Sequence, residues 1–151
     1  MEENFLMNTN TWKHIVVSFI NTIGDVAKGT FYRAGLETGR EFVKNYKINE
    51  KNLDKVNEIF SQMNWGKIKI DLKKLHIVID NSFEAKAIEK SKECSCYFLK
   101  GFVAGLLSTI LNKDLKAEEV KCKSKGDKYC EFKLSKTAEW YERVSKILEE
   151  V

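Results

Sequence analysis

Proline is absent from the 151 residues and glutamine appears once, at Gln62, while lysine, glutamate and isoleucine are abundant. That bias is shared with proteins of hot environments, although the many asparagines run against it. Long apolar runs are also missing. The most apolar stretch, 97–111, contains Lys100 and is too short to span a bilayer, so no membrane insertion is expected. The opening Met1-Glu2-Glu3-Asn4 is acidic and has no basic region ahead of an apolar core, so no secretory signal is legible there. Neither G-x-G-x-x-G nor G-x-x-x-x-G-K-[ST] occurs, which removes the common nucleotide loops, and no nucleophile stands beside a base. A net charge of +4, with lysines dispersed among acids, falls short of a nucleic-acid footprint. The chain reads as soluble and cytoplasmic, with no nucleic-acid partner and little to suggest an enzyme.

What is present describes one folded unit over residues 1–151, with 43% apolar and 32% charged residues and no linker, repeat or low-complexity segment. Trp12, Ile15, Val16, Phe19 and Ile23 recur at helical spacing. Gly24 and Gly29 precede a second helical stretch, 30–44, where Tyr32, Gly35, Leu36, Gly39 and Phe42 share a face. Glycines four apart allow a close backbone approach. A third helix carries Leu53, Val56, Phe60 and Met63. The period then becomes two: Ile68, Ile70 and Leu72 form one strand and, after Lys73-Lys74, Leu75, Ile77 and Ile79 face inward from the next. An apolar helix over 96–111 precedes a hairpin with Val120, Cys122, Cys130, Phe132 and Leu134 on one face. Thr137 is placed to cap a last helix that buries Trp140, Val144, Ile147 or Leu148, and Val151. The expected fold is α+β, with helices packed on an antiparallel sheet of about four strands.

All four cysteines lie between positions 94 and 130. A three-residue loop, 125–127, would set Cys122 opposite Cys130, with Cβ atoms about 4.5–5.5 Å apart, within reach of one zinc at about 2.3 Å per sulfur. Cys96, at a helix start, and Cys94 compete for a third thiolate. Glu119 falls nominally on the other strand face and joins only if the strand is bulged or begins there. Zinc, buried thiols and a disulfide all fit the spacing; a closed four-ligand zinc would be structural.

Cys-Tyr-Phe-Leu-Lys-Gly-Phe-Val-Ala-Gly-Leu-Leu (96–107) and Glu-Val-Lys-Cys-Lys-Ser-Lys-Gly-Asp-Lys-Tyr-Cys-Glu-Phe (119–132) resemble the 4-vinyl reductase domain family, in which a glycine-containing apolar helix precedes an E-x-x-C-x-x-x-Gly-Asp-x-x-Cys-x-Phe hairpin. Tyr32 to Gly39 also looks like that family's small-residue helix. The resemblance implies a fold shared with trafficking-complex (TRAPP) subunits, usually dimeric, with an apolar pocket between sheet and helices. It also implies, as in the sensor domains of aromatic-responsive bacterial regulators, a structural zinc held by Cys96, Glu119, Cys122 and Cys130. The regulators' ATPase and DNA-binding domains have no counterpart in this chain.

A pocket of that kind would be lined by Leu75, Ile77, Phe98, Phe102 and Leu106, with Tyr32 supplying a hydroxyl. Nothing in the residues supports reduction, which needs a hydride donor and a place to bind it. The sequence therefore points to a binding domain for a small apolar, even aromatic, molecule, acting as a homodimer. The rivals are an interaction module using the Gly35/Gly39 face and the first helix, and an accessory factor acting on a tetrapyrrole vinyl group. His76, on the outward side of its strand, and His14 read as surface residues, and Lys121, Lys123, Lys125 and Lys128 as a solvated face that blunts a sheet edge.

Overall fold

The computed structural model describes residues 5–151; the acidic opening Met1–Asn4 lies outside the described residues. Asn8 starts the first helix by accepting from the Thr11 N–H at 2.8 Å. Helix α1 (Thr9–Ile23) ends at Gly24, and α2 (Val26–Tyr46) follows directly. Next come α3 (Asp54–Gln62) and the hairpin of β1 (Lys67–Asp71) and β2 (His76–Asp80). A short helix α4 (Phe83–Ala87), which the hydrophobic period does not reveal, leads to α5 (Tyr97–Leu111). Strands β3 (Leu115–Lys121) and β4 (Cys130–Lys136) and helix α6 (Thr137–Glu149) complete the order.

The four strands form one antiparallel sheet in the order β1-β2-β4-β3. Its inner face presents Ile68, Ile77, Ile79, Leu115, Ala117, Phe132 and Leu134, all buried, as period-two alternation requires. Against it lies α5, whose Leu99, Phe102, Val103, Leu106 and Leu107 are fully buried. The architecture is α+β, as expected.

Helices α2 and α5 meet backbone to backbone. A Cβ on Gly35 would collide with the Phe98 carbonyl and one on Gly39 with that of Phe102; on Gly101 it would strike Tyr32 and on Gly105 Leu36. Only hydrogen fits at all four positions. The Gly35/Gly39 face, which the sequence offers to a partner chain, is thus occupied by this chain's own α5.

Helix α6 departs further from expectation. None of its residues is fully buried, and Tyr141, Ile147, Leu148 and Val151 are exposed. The helix lies against the outer, polar face of the sheet. Arg143 donates to Ser135 Oγ at 3.1 Å and pairs with Glu118, and Lys116 Nζ sits 3.4 Å from the Trp140 ring centroid. A polar surface draws charge and cation–π contacts and leaves the apolar stripe open. Thr137 does not cap α6; its N–H and hydroxyl both donate to the Asp114 carbonyl. No helix among the described residues is long and apolar enough to cross a membrane.

Candidate metal centre

Strand β3 brings Glu119 inward by the same alternation that buries Leu115 and Ala117: Ala117 faces Leu134 and Glu119 faces Phe132 across the ladder. The next pair is Lys121 with Glu131, so Val120 is an extra, bulged residue. This corrects the expected placing of Val120 on the core face; it is 37% exposed. It also removes the objection to Glu119, because one inserted residue turns both Glu119 and Cys122 toward the interior.

The connection after Cys122 is longer than a three-residue hairpin loop. A 3₁₀ turn over Lys123–Lys125 and Gly126 (φ 104°) fold the chain back. Asp127 Oδ2 accepts from the Cys122 N–H at 2.9 Å and locks the turn. Cys130 then opens β4, paired with Ile79 rather than with Cys122. Cys96 arrives from the residue that precedes α5.

The result is a triangle of sulfurs: Cys96–Cys130 at 3.7 Å, with Cys96–Cys122 and Cys122–Cys130 both at 3.9 Å. Tetrahedral zinc with Zn–S near 2.3 Å would separate its sulfurs by about 3.8 Å. A disulfide needs sulfurs about 2.05 Å apart, and all four cysteines are free thiols. The donor atoms of Cys96, Glu119, Cys122 and Cys130 lie within 4.8 Å of one another. Glu119 Oε1 accepts from the Cys96 N–H at 3.1 Å, whereas its buried Oε2 has no hydrogen-bond partner. An orphaned carboxylate oxygen beside three sulfurs on tetrahedral edges is a donor set with a missing acceptor, and the four residues fit a metal ion.

Cys94 is outside the set. Its half-buried thiol faces the Glu119 backbone carbonyl at 3.4 Å, and burial, reinforced by the Glu119 charge, pushes it up to about 12. Within the set, Cys122 is held well below the usual thiol range by hydrogen bonds from Cys130 and then Cys96, and Cys130 is raised for the same reason. Burial raises Cys96. Burial and the Cys122 charge push Glu119 up to about 8. One thiolate shared by three sulfurs is the ground state of the metal-free cluster.

Three buried serines surround the sulfurs. Ser82 Oγ lies 3.2 Å from Cys96 Sγ and Ser124 Oγ 3.0 Å from Cys122 Sγ, while Ser95 donates to Ser124 at 2.9 Å. Hydroxyls in such positions fix thiolates and spread their charge.

Sequence reasoning missed Glu84. It is fully buried, and its carboxylate accepts from the Phe98 and Leu99 N–H groups at the start of α5. Burial raises its pKa well above the usual carboxylate range. The signal was Ser82-Phe83-Glu84, a helix start hidden because α4 is only five residues long.

The six expected pocket residues share one hydrophobic cluster. Ile77, Phe102 and Leu106 are fully buried; Tyr32, Leu75 and Phe98 lie at its margin. The Tyr32 hydroxyl is engaged by the Ala117 backbone. Side chains fill the space between α5 and the sheet. Two surface concavities lie elsewhere: one of about 590 Å³ between α6 and the outer sheet face, one of about 650 Å³ along α2. His76 sits beside the first, bound to Glu131.

The fold is similar to that of several solved structures. The phenol-responsive sensory domain of the transcription activator PoxR with phenol superposes with a TM-score of 0.77 at 16% identity, over 97% of this chain and 83% of that one. A vinyl-4-reductase family protein from Methanocaldococcus jannaschii gives 0.67 at 23% identity, over 89% and 85%. A trafficking protein particle complex subunit 3 from Naegleria fowleri covalently bound to palmitic acid gives 0.57 at 19% identity, over 85% and 93%. By sequence, the chain is similar to two uncharacterized proteins of Methanocaldococcus jannaschii. It is 29% identical to MJ0745 over 85% of its length and 27% identical to MJ0150 over 74%. The chain spans 68% and 66% of their lengths, about two thirds of each. Residues 75–136 match the family model of the 4-vinyl reductase domain, the segment that builds β2, α4, α5, β3, β4 and the whole cysteine–glutamate cluster. By that segment, the chain belongs to the 4-vinyl reductase domain family.

Proposed function

We propose that this chain is a non-enzymatic binding domain for a small hydrophobic molecule, held in shape by one structural zinc on Cys96, Glu119, Cys122 and Cys130. The observation that carries the metal is the orphaned Glu119 Oε2 beside a sulfur triangle of tetrahedral dimensions. Four protein donors leave no open coordination position, so the ion organises structure rather than chemistry. It ties the start of α5 to both arms of the β3–β4 hairpin. Support for the ligand comes from the fold shared with a phenol-responsive sensory domain and from a core rich in aromatic rings. The ligand is small, apolar and, on this reading, aromatic.

The domain works in the cytoplasm as a homodimer, each chain forming a single unit of the 4-vinyl reductase type. An apolar band on the outside of α1 and the start of α2 supports self-association: Val17, Phe19, Ile23 and Val26 are 39%, 46%, 46% and 71% exposed. The same band favours a second reading, an interaction module with no exchangeable ligand. Native mass spectrometry of metal-replete protein incubated with a panel of small arenes separates the two. Retained ligand in stoichiometric amount supports the sensor; a dimer that binds no member of the panel supports the module.

A further inference from the structure

Four rings close a cycle at the end of the core. Trp12 of α1 meets Phe83 of α4 at 5.5 Å and Phe98 of α5 at 5.8 Å between centroids. Trp65, which precedes β1, meets the same two rings at 5.5 and 5.8 Å. A backbone hydrogen bond from Phe83 N–H to the Trp65 carbonyl fixes one corner. None of the four is fully buried, so the cycle reaches the surface. Inside it, the buried Trp12 Nε1–H has no hydrogen-bond partner. Indole N–H is a donor only, and a buried donor without an acceptor is costly to keep.

From this ring cycle and its unpaired donor we infer that Trp12, Trp65, Phe83 and Phe98 form the binding site for a planar arene carrying an oxygen acceptor, with Trp12 Nε1 as the group that reads the oxygen. The inference rests on the ligand-binding reading above and moves its site from the filled space beside the sheet to the α1–α4–α5 junction. The ring edges and faces supply the stacking and edge-on contacts that arenes prefer. The single unpaired donor supplies orientation, the usual division of labour in a small-molecule site. Helix α1 is the wall that parts to admit the ligand. Of its fifteen residues only Val16 is fully buried. It joins α2 through Gly24, whose φ of 69° suits a residue without Cβ.

The test compares acetophenone with α-methylstyrene, which has nearly the same planar shape but carries a methylene in place of the carbonyl oxygen. Calorimetric titration of the metal-replete protein should show acetophenone binding about tenfold tighter, the discrimination that one hydrogen bond to a buried donor provides. Trp12→Phe should lower acetophenone to the level of α-methylstyrene and leave the latter unchanged. If the variant fails to fold, ¹H–¹⁵N spectra of the unaltered protein decide: the indole resonance of Trp12 should shift with acetophenone and not with α-methylstyrene. Equal affinity for the two arenes, or discrimination that survives Trp12→Phe, would overturn the assignment of Trp12 while leaving the domain a ligand binder. Binding of neither would overturn the ligand-binding reading and this inference with it.

Discussion

Glu119 shows how one inserted residue changes the chemistry of a strand. Without Val120 as a bulge, alternation would put Glu119 and Cys122 on opposite faces; with it, both point to the same 4.8 Å space. The orphaned Oε2 makes Glu119→Gln informative. Bound zinc, measured by elemental analysis, should fall from about one per chain to a small fraction after mild chelation, because an amide is a poor zinc ligand. Glu84 acts at the other end of the same framework. Glu84→Ala leaves two α5 N–H groups unpaired and should cost about 3 kcal/mol by urea unfolding. Its raised pKa also fixes a sign. The unfolded carboxyl ionises near pH 4.3, before the buried one, so as pH climbs from there to the raised value this group's effect on stability becomes steadily less favourable. Glu84→Gln removes that titration, and its stability should vary less with pH over the same window.

At the scale of elements, the glycines act with opposite signs according to what lies over them. Gly101→Ala drives a methyl into the Tyr32 carbonyl across the α2–α5 contact and should destabilise by about 3 kcal/mol or more. Gly29→Ala, in α2 with nothing within 4 Å of the added carbon, should stabilise by about 1 kcal/mol. Thermal unfolding of the two variants side by side checks both. Most elements were legible in the sequence because their burial is periodic: Ile77 and Ile79 on β2, and Val56 and Phe60 on α3, are buried as expected. The failures have a common physical cause. Helix α4 is too short to show a period, α6 packs through charge and cation–π contacts rather than through its apolar stripe, and the Gly35/Gly39 spacing marks a close approach without naming the partner. The cluster itself was legible as four residues, but its geometry depends on a bulge that spacing cannot reveal.

At the scale of the molecule, the metal centre and the ring cycle share α4 and the start of α5. Ser82 touches Cys96, Phe83 is a corner of the cycle, and Glu84 holds the α5 terminus. Removing the ion should therefore loosen the aromatic end as well as the hairpin, since the four ligands come from separate parts of the chain and metal binding is coupled to folding. The account stands most directly on native mass spectrometry of the purified protein before and after chelation, read for metal count and charge-state distribution together. It predicts about one zinc per folded chain and a shift toward the highly charged, unfolded distribution once the metal is withdrawn. A metal-free chain that keeps the compact distribution would contradict it.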